Sequence, residues 1–175
     1  GEYVGYSQGS KLPSEFNITN FAKEGKNTIA LQIFRWTDGS YLECQDFWRI
    51  SGIERSIFVY AQPKLRIEDF NVVASLDKAY ENGIFELDVD IQNHSFSIKK
   101  VQIEYKLLDK KNNVVSESNQ KFEISKNGKS TISFNSVIRT PKQWNAEHQN
   151  LYTLVLELKN KKGKTIEATS IKIGF

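Results

Sequence analysis

Residues 85–91 read Phe-Glu-Leu-Asp-Val-Asp-Ile. Apolar side chains at 85, 87, 89 and 91 alternate with acids at 86, 88 and 90. That is the period of a strand with one face in a core and the other in water. Val101, Ile103, Tyr105 and Leu107 repeat the pattern against Gln102, Glu104 and Lys106, and Leu154, Leu156 and Leu158 repeat it once more. Between such runs lie Asn82-Gly83, Asn112-Asn113, Asn127-Gly128 and Lys162-Gly163. Asn and Gly tolerate the positive φ angles that tight hairpin turns demand. Seven strands are predicted, near 65–74, 84–92, 100–108, 114–124, 130–138, 151–159 and 165–173. Seven short alternating strands, with no amphipathic helix among them, predict an immunoglobulin-like β-sandwich. In the last strand the apolar phase breaks between Ala168 and Ile171, which predicts a β-bulge there.

Residues 1–63 read differently. Tyr3–Tyr6, Thr28–Phe34 and Ser56–Tyr60 have strand character, and Thr19 or Asn20 is placed to cap a single helical turn ending at Gly25. Three or four strands joined by a long aromatic loop leave open edges and an uncovered face. Residues 1–63 are therefore expected to be the C-terminal part of a larger β domain, and 64–175 a complete sandwich. The sequence starts with Gly and contains no Met, so it reads as a piece of a longer chain.

The formal charge of +3 is unevenly placed. Up to Pro63 there are 6 basic and 7 acidic residues; beyond it there are 18 and 14. The excess lysines sit in turns such as Lys110-Lys111 and the run from Lys159 to Lys164, a solubilising pattern that predicts no nucleic-acid partner. No apolar run approaches the roughly 20 residues that span a bilayer, so no membrane partner is predicted. The single cysteine, Cys44, rules out an intramolecular disulfide framework and reads as a structural or neutral loop residue. Asn-x-Ser/Thr triplets begin at Asn17 and Asn93, and carry no reading by themselves.

Chemistry needs titratable groups held beside partners. His94 and His148 each sit in a polar turn and read as solvated loop residues. One Cys and two separated His do not make a zinc site, and no phosphate-binding glycine loop is present. The exception is Arg35–Arg55, RWTDGSYLECQDFWRISGIER, which follows neither a strand nor a helix period. Asp38-Gly39 reads as a turn; Glu43, Asp46, Arg49, Glu54 and Arg55 read as an ion-pair network; Trp36, Tyr41, Phe47 and Trp48 read as core anchors. Aromatic faces beside carboxylates also bind sugars, because pyranose faces stack on rings and carboxylates accept hydroxyl hydrogen bonds. The residues leave both readings open.

Three stretches carry a resemblance: YVGYSQGSKLPSEFNIT (3–19), RWTDGSYLECQDFWRISGIERSIFVYAQP (35–63) and PKQWNAEHQNLYTLVLELKNKKGKTIEATSIKIGF (141–175). The first two resemble the end of the sugar-binding jelly-roll domain of glycoside hydrolase family 2 β-galactosidases. The third resembles the last strands of that family's immunoglobulin-like domain. Cys44, where relatives often carry a polar residue, and His148-Gln149, where they often carry Pro, depart from the pattern. The resemblance implies an all-β fold, residues 1–63 from the jelly roll and 64–175 as the sandwich. It implies retaining hydrolysis of terminal β-D-galactosides by two glutamates of a following barrel, outside this chain, which is then non-catalytic. Asp38 of the Asp-Gly-Ser-Tyr motif is implied to reach the galactose pocket and to ligate a sodium ion, as a hard oxygen donor suits. A further pocket residue, an Asn, is implied to lie upstream of Gly1. Sodium and magnesium are implied for the full-length enzyme, none of either bound to the fragment alone, together with a β-galactoside substrate and homo-oligomeric assembly. The alternatives are another family 2 hydrolase, a β-glucuronidase or β-mannosidase, and a free-standing carbohydrate-binding or adhesion module.

Overall fold

The computed structural model describes residues 1–9, 12–42, 48 and 50–175. The chain divides into two units, Gly1–Val59 and Tyr60–Phe175.

The second unit is a two-sheet antiparallel sandwich. Its strands are β1 (Leu65–Leu76), β2 (Gly83–Asn93), β3 (Lys99–Leu108), β4 (Val114–Ile124), β5 (Lys129–Ile138), β6 (Tyr152–Asn160) and β7 (Thr165–Ile173). One sheet has the order β1-β2-β5 and the other β4-β3-β6-β7. The alternation decides which atoms meet. Phe85, Leu87, Val89 and Ile91 of β2 are buried, as are Val101 to Leu107 at alternate positions of β3 and Leu154, Leu156 and Leu158 of β6. The intervening acids and amides face outward. Aromatic rings bridge the layers, with Tyr105 at 5.2 Å from Phe85 and 5.1 Å from Phe134 between ring centres. Such tilted and edge-on pairs add about 0.5–1.5 kcal/mol each beyond area burial.

Polar links close both sides of the sandwich. On the β4–β5 side, the Tyr105 hydroxyl lies 2.9 Å from Ser116 Oγ on β4, which lies 3.2 Å from Ser136 Oγ on β5. On the other side, the Ile67 N–H of edge strand β1 donates to the Glu167 carboxylate of edge strand β7 at 2.7 Å. The Ile67 amide is left for this bond at a β-bulge, where the pairing of β1 with β2 shifts between Ile67 and Asp69.

A bulge exists in β7, but not between Ala168 and Ile171 as the phase break predicts. Residues 168–171 keep regular register, and the shift falls at Ile166, between the pairs Leu158–Glu167 and Lys159–Thr165. Ala168 faces outward, while polar Glu167 and Thr169 take inward positions of the edge strand. Glu167 is tolerated there because its carboxylate reaches the β1 amide. The turns also refine the reading. Asn112, Asn127 and Gly163 have φ of 62°, 48° and 78°, as their turns require. In the β1–β2 turn the positive φ falls on Tyr80, at 57°, instead of on Asn82-Gly83. Asp77 organises that turn by accepting bonds from Glu81 N and Asn82 Nδ2, both at 2.9 Å.

In the first unit, the predicted strands at Tyr3–Tyr6, Thr28–Phe34 and Ser56–Tyr60 are absent: no strand occurs among its described residues. A strand requires a hydrogen-bonded ladder, and among the described residues these runs form none. Their apolar side chains, such as Ile29, Leu31 and Ile33, stay exposed. A helical turn forms, but it runs from Ile18, whose carbonyl accepts from Ala22 N at 2.9 Å, and closes there instead of at Gly25. Asn17, instead of Thr19 or Asn20, caps it, accepting from Thr19 N at 3.0 Å.

Candidate functional site

Asp38 immediately precedes α1 (Gly39–Leu42), a single helical turn. The Asp38 carbonyl accepts from Tyr41 N at 3.1 Å and from Leu42 N at 3.2 Å, and the Ser40 hydroxyl accepts from Thr37 N at 3.0 Å. Asp38-Gly39 is thus the entry to a helical turn and not a simple reverse turn. Asp38 is exposed, and among the described residues no group bonds its carboxylate. Earlier in the same stretch, the Arg35 guanidinium lies over the Trp36 ring, 5.2 Å from its centre.

The described aromatics of this stretch are not core anchors. Trp36 is 60% exposed, Tyr41 86% and Trp48 79%. Glu43, Cys44, Asp46, Phe47 and Arg49 lie outside the described residues, and with them all of the ion-pair network read from the sequence except Glu54 and Arg55.

One carboxylate is a sound ligand for a hard cation but not a site. No group of three or more His, Cys, Asp or Glu among the described residues converges as metal ligands do. Asp38 therefore fits a sodium ion only as one donor among others supplied from elsewhere, and no described cluster fits magnesium.

Retaining glycoside hydrolysis needs two carboxyl groups about 5–5.5 Å apart, one of them held protonated by a raised pKa. The sandwich shows the opposite electrostatics. Lys159 lies 2.6 Å from Glu104 and, with Lys106 on its other side at 3.1 Å, holds that carboxyl below the usual range. Lys129 and Thr131, at 2.8 and 2.6 Å, do the same to Asp90. Hydrogen bonds from Glu81 and Asn82 lower Asp77, and bonds from Asn113 lower Asp109. These are structural carboxylates, poised to stay ionised. A shallow depression of about 270 Å³ over β2 and β5, lined by Ile84, Phe85, Glu86, Asn135, Ser136 and Val137, offers a single carboxylate. His94 and His148 are exposed and hydrogen-bonded through their backbones, as solvated loop residues are.

The residue that the sequence reading passed over is Asn93. It is 0% exposed. Its Nδ2 donates to Ser97 O at 2.9 Å and Ser125 O at 2.8 Å, and its Oδ1 accepts from Ser95 N at 3.0 Å and Ser95 Oγ at 2.6 Å. One amide thus ties the β2–β3 loop to the β4–β5 turn. The signal was available: 85, 87, 89, 91 and 93 share one parity, so Asn93 falls on the inward face.

The family model described as "Glycosyl hydrolases family 2" matches residues 65–175, and "Glycosyl hydrolases family 2, sugar binding domain" matches residues 1–63. The chain belongs to glycosyl hydrolase family 2. Among its family 2 relatives, a β-galactosidase of Priestia megaterium is 44% identical over 176 residues, covering 100% of this chain and 17% of the relative. A β-galactosidase of Halalkalibacterium halodurans is 36% identical with the same coverage. The chain thus spans 17% of the length of these curated relatives. Solved structures share the fold. A β-glucuronidase from Bacteroides uniformis superposes with a TM-score of 0.60 at 10% identity, covering 65% of this chain and 14% of its own. A family 2 member from Bacteroides cellulosilyticus gives 0.58 at 22% identity, covering 63% and 15%.

Proposed function

We propose that this chain is a non-catalytic part of a retaining β-galactosidase acting on terminal non-reducing β-D-galactosides. In this reading residues 1–63 complete a sugar-binding jelly roll and present Asp38 to the galactose pocket. Residues 64–175 form a spacer that holds that loop against a catalytic barrel. The observation that carries the reading is the match of the whole chain, at 44% identity, to a protein named β-galactosidase. The exposed Asp38 carboxylate supports the role given to it. It can accept sugar hydroxyls and serve as one oxygen ligand of a sodium ion, which would supply a fixed positive centre for hydroxyl oxygens. The lowered carboxyls of the sandwich support the absence of an acid/base pair in this part.

The test is made in the longer enzyme, on nitrophenyl β-galactoside and β-glucuronide. Preference for the galactoside is expected. Asp38→Asn should lower kcat/KM by roughly ten- to a hundredfold, the equivalent of a charged hydrogen bond of about 1.5–3 kcal/mol. Preference for the glucuronide, or Asp38→Asn kinetics within a few-fold of the parent, would overturn the reading. So would galactoside turnover by the isolated 175-residue chain.

A further inference from the structure

The sequence contains two Asn-Gly dipeptides, Asn82-Gly83 and Asn127-Gly128, and the fold treats them oppositely. Asn82 is half-buried, and its amide is held at both ends, Nδ2 on Asp77 Oδ2 at 2.9 Å and Oδ1 by Thr140 N at 3.4 Å. Gly83 is buried and already paired in β2. Asn127 is exposed, sits at φ 48°, and among the described residues nothing bonds its side-chain amide. Its neighbour is glycine for a steric reason: a Cβ on Gly128 would stand 3.0 Å from Ser125 O. The missing Cβ also leaves the Gly128 nitrogen unhindered as a nucleophile.

We propose that Asn127 is a site of spontaneous deamidation, and that its conversion loosens the clamp around Asn93. The Gly128 nitrogen, deprotonated by hydroxide, bonds to Asn127 Cγ. The Cγ–Nδ2 bond breaks and ammonia leaves, closing a cyclic imide. Water then opens either carbonyl, giving aspartate or isoaspartate with no change of oxidation state. The reaction needs the turn to open, because Gly128 N donates to Ser125 O at 3.1 Å and Asn127 N to Ser95 O at 3.1 Å. Exposed turns open at low free energy, whereas strand amides in a core do not. That difference sets the two dipeptides apart. Isoaspartate then routes the backbone through the side-chain carbon and lengthens the turn. Gly128 O, which accepts from Asn93 N at 2.9 Å, and Ser125 O, which accepts from Asn93 Nδ2 at 2.8 Å, both hang on that turn.

The test is incubation of the whole 175-residue chain at mildly alkaline pH, folded and in urea. Peptide mapping by mass spectrometry and isoaspartyl methyltransferase labelling follow. In the folded chain the Asn127 peptide should convert several times faster than the Asn82 peptide; in urea the two should convert alike. Converted chain should melt lower than fresh chain. Asn127→Gly, which keeps the positive φ and lacks the amide, should keep its melting temperature through the incubation. Folded conversion at Asn127 no faster than at Asn82 would overturn the proposal. So would an unchanged melt after full conversion.

Discussion

Asn93→Asp tests whether one buried amide organises the end of the sandwich. The change alters one atom group and almost no volume. In the parent, two N–H groups of Asn93 meet two carbonyl oxygens, Ser97 O and Ser125 O. In the variant a carboxylate oxygen faces both. Each buried group left without a partner costs about 1–3 kcal/mol. Ser97 O loses its donor, because the one proton of the Ser95 hydroxyl, 3.2 Å away, is already given to the side chain at 93 at 2.6 Å. Ser125 O keeps the Gly128 N–H at 3.1 Å but loses its second donor, and the new charge is buried as well. A loss of about 2–4 kcal/mol at neutral pH follows, a large share of the about 5–15 kcal/mol that holds a domain folded. The assay is urea and thermal unfolding of variant and parent, followed by circular dichroism across pH. Burial and the facing carbonyls raise the folded pKa of the introduced acid, so its destabilisation is full at high pH. It shrinks as pH falls towards the unfolded value of about 4. The gap between variant and parent should therefore narrow on acidification. A loss under about 1 kcal/mol at neutral pH, or a gap that does not change with pH, would refute the account of Asn93 as a fully committed clamp.

Other expectations follow from the same structure. Asp77, Asp90, Glu104 and Asp109 are held below their ordinary values, so their stabilisation is present above about pH 4 and is lost as pH falls through the folded values. Lys100, Lys129 and Lys159 are raised by carboxylate partners, so their share persists until pH rises past about 10.4. An unfolding series should show a plateau between these limits and a fall on the acid side. Gly83→Ala would place a Cβ 2.6 Å from the ring of Phe175, which packs edge-on to Tyr152 at 5.4 Å between centres. Overpacking of this kind costs about 1–3 kcal/mol and should appear as a lower urea midpoint at unchanged slope. Tyr105→Phe keeps the ring stack and removes the hydroxyl link to Ser116, so it should cost about 1 kcal/mol in the same assay, against several for Tyr105→Ala.

Much of the sandwich was legible because alternation is a local property. Whether Leu87 faces in or out depends only on its parity with Phe85 and Val89, and the strands lie where those periods run. The family motif in residues 35–55 was legible for another reason, since a long ungapped run identifies kinship without any geometry. What escaped was whatever depends on a partner distant in sequence. The β7 bulge was misplaced because Glu167 takes an inward position to serve an amide 100 residues away. Asn93 drew no reading because the oxygens that hold it come from two other segments. Among the described residues of 1–63 the expected strands did not form, because strand propensity without a sheet ladder leaves a backbone that water satisfies as well.

The sequence alone therefore determined the all-β class, the seven strands of the sandwich, the family and Asp38 as the candidate sugar contact. Only the tertiary structure decided which polar groups are structural. It tied Asn93, Glu167 and Tyr105 into the frame and left Asp38 exposed at the start of a single helical turn. Side-chain period is set by the chain's own geometry, one residue after the next. Polar satisfaction is set by which atoms the fold brings within about 3 Å, and no local pattern specifies that.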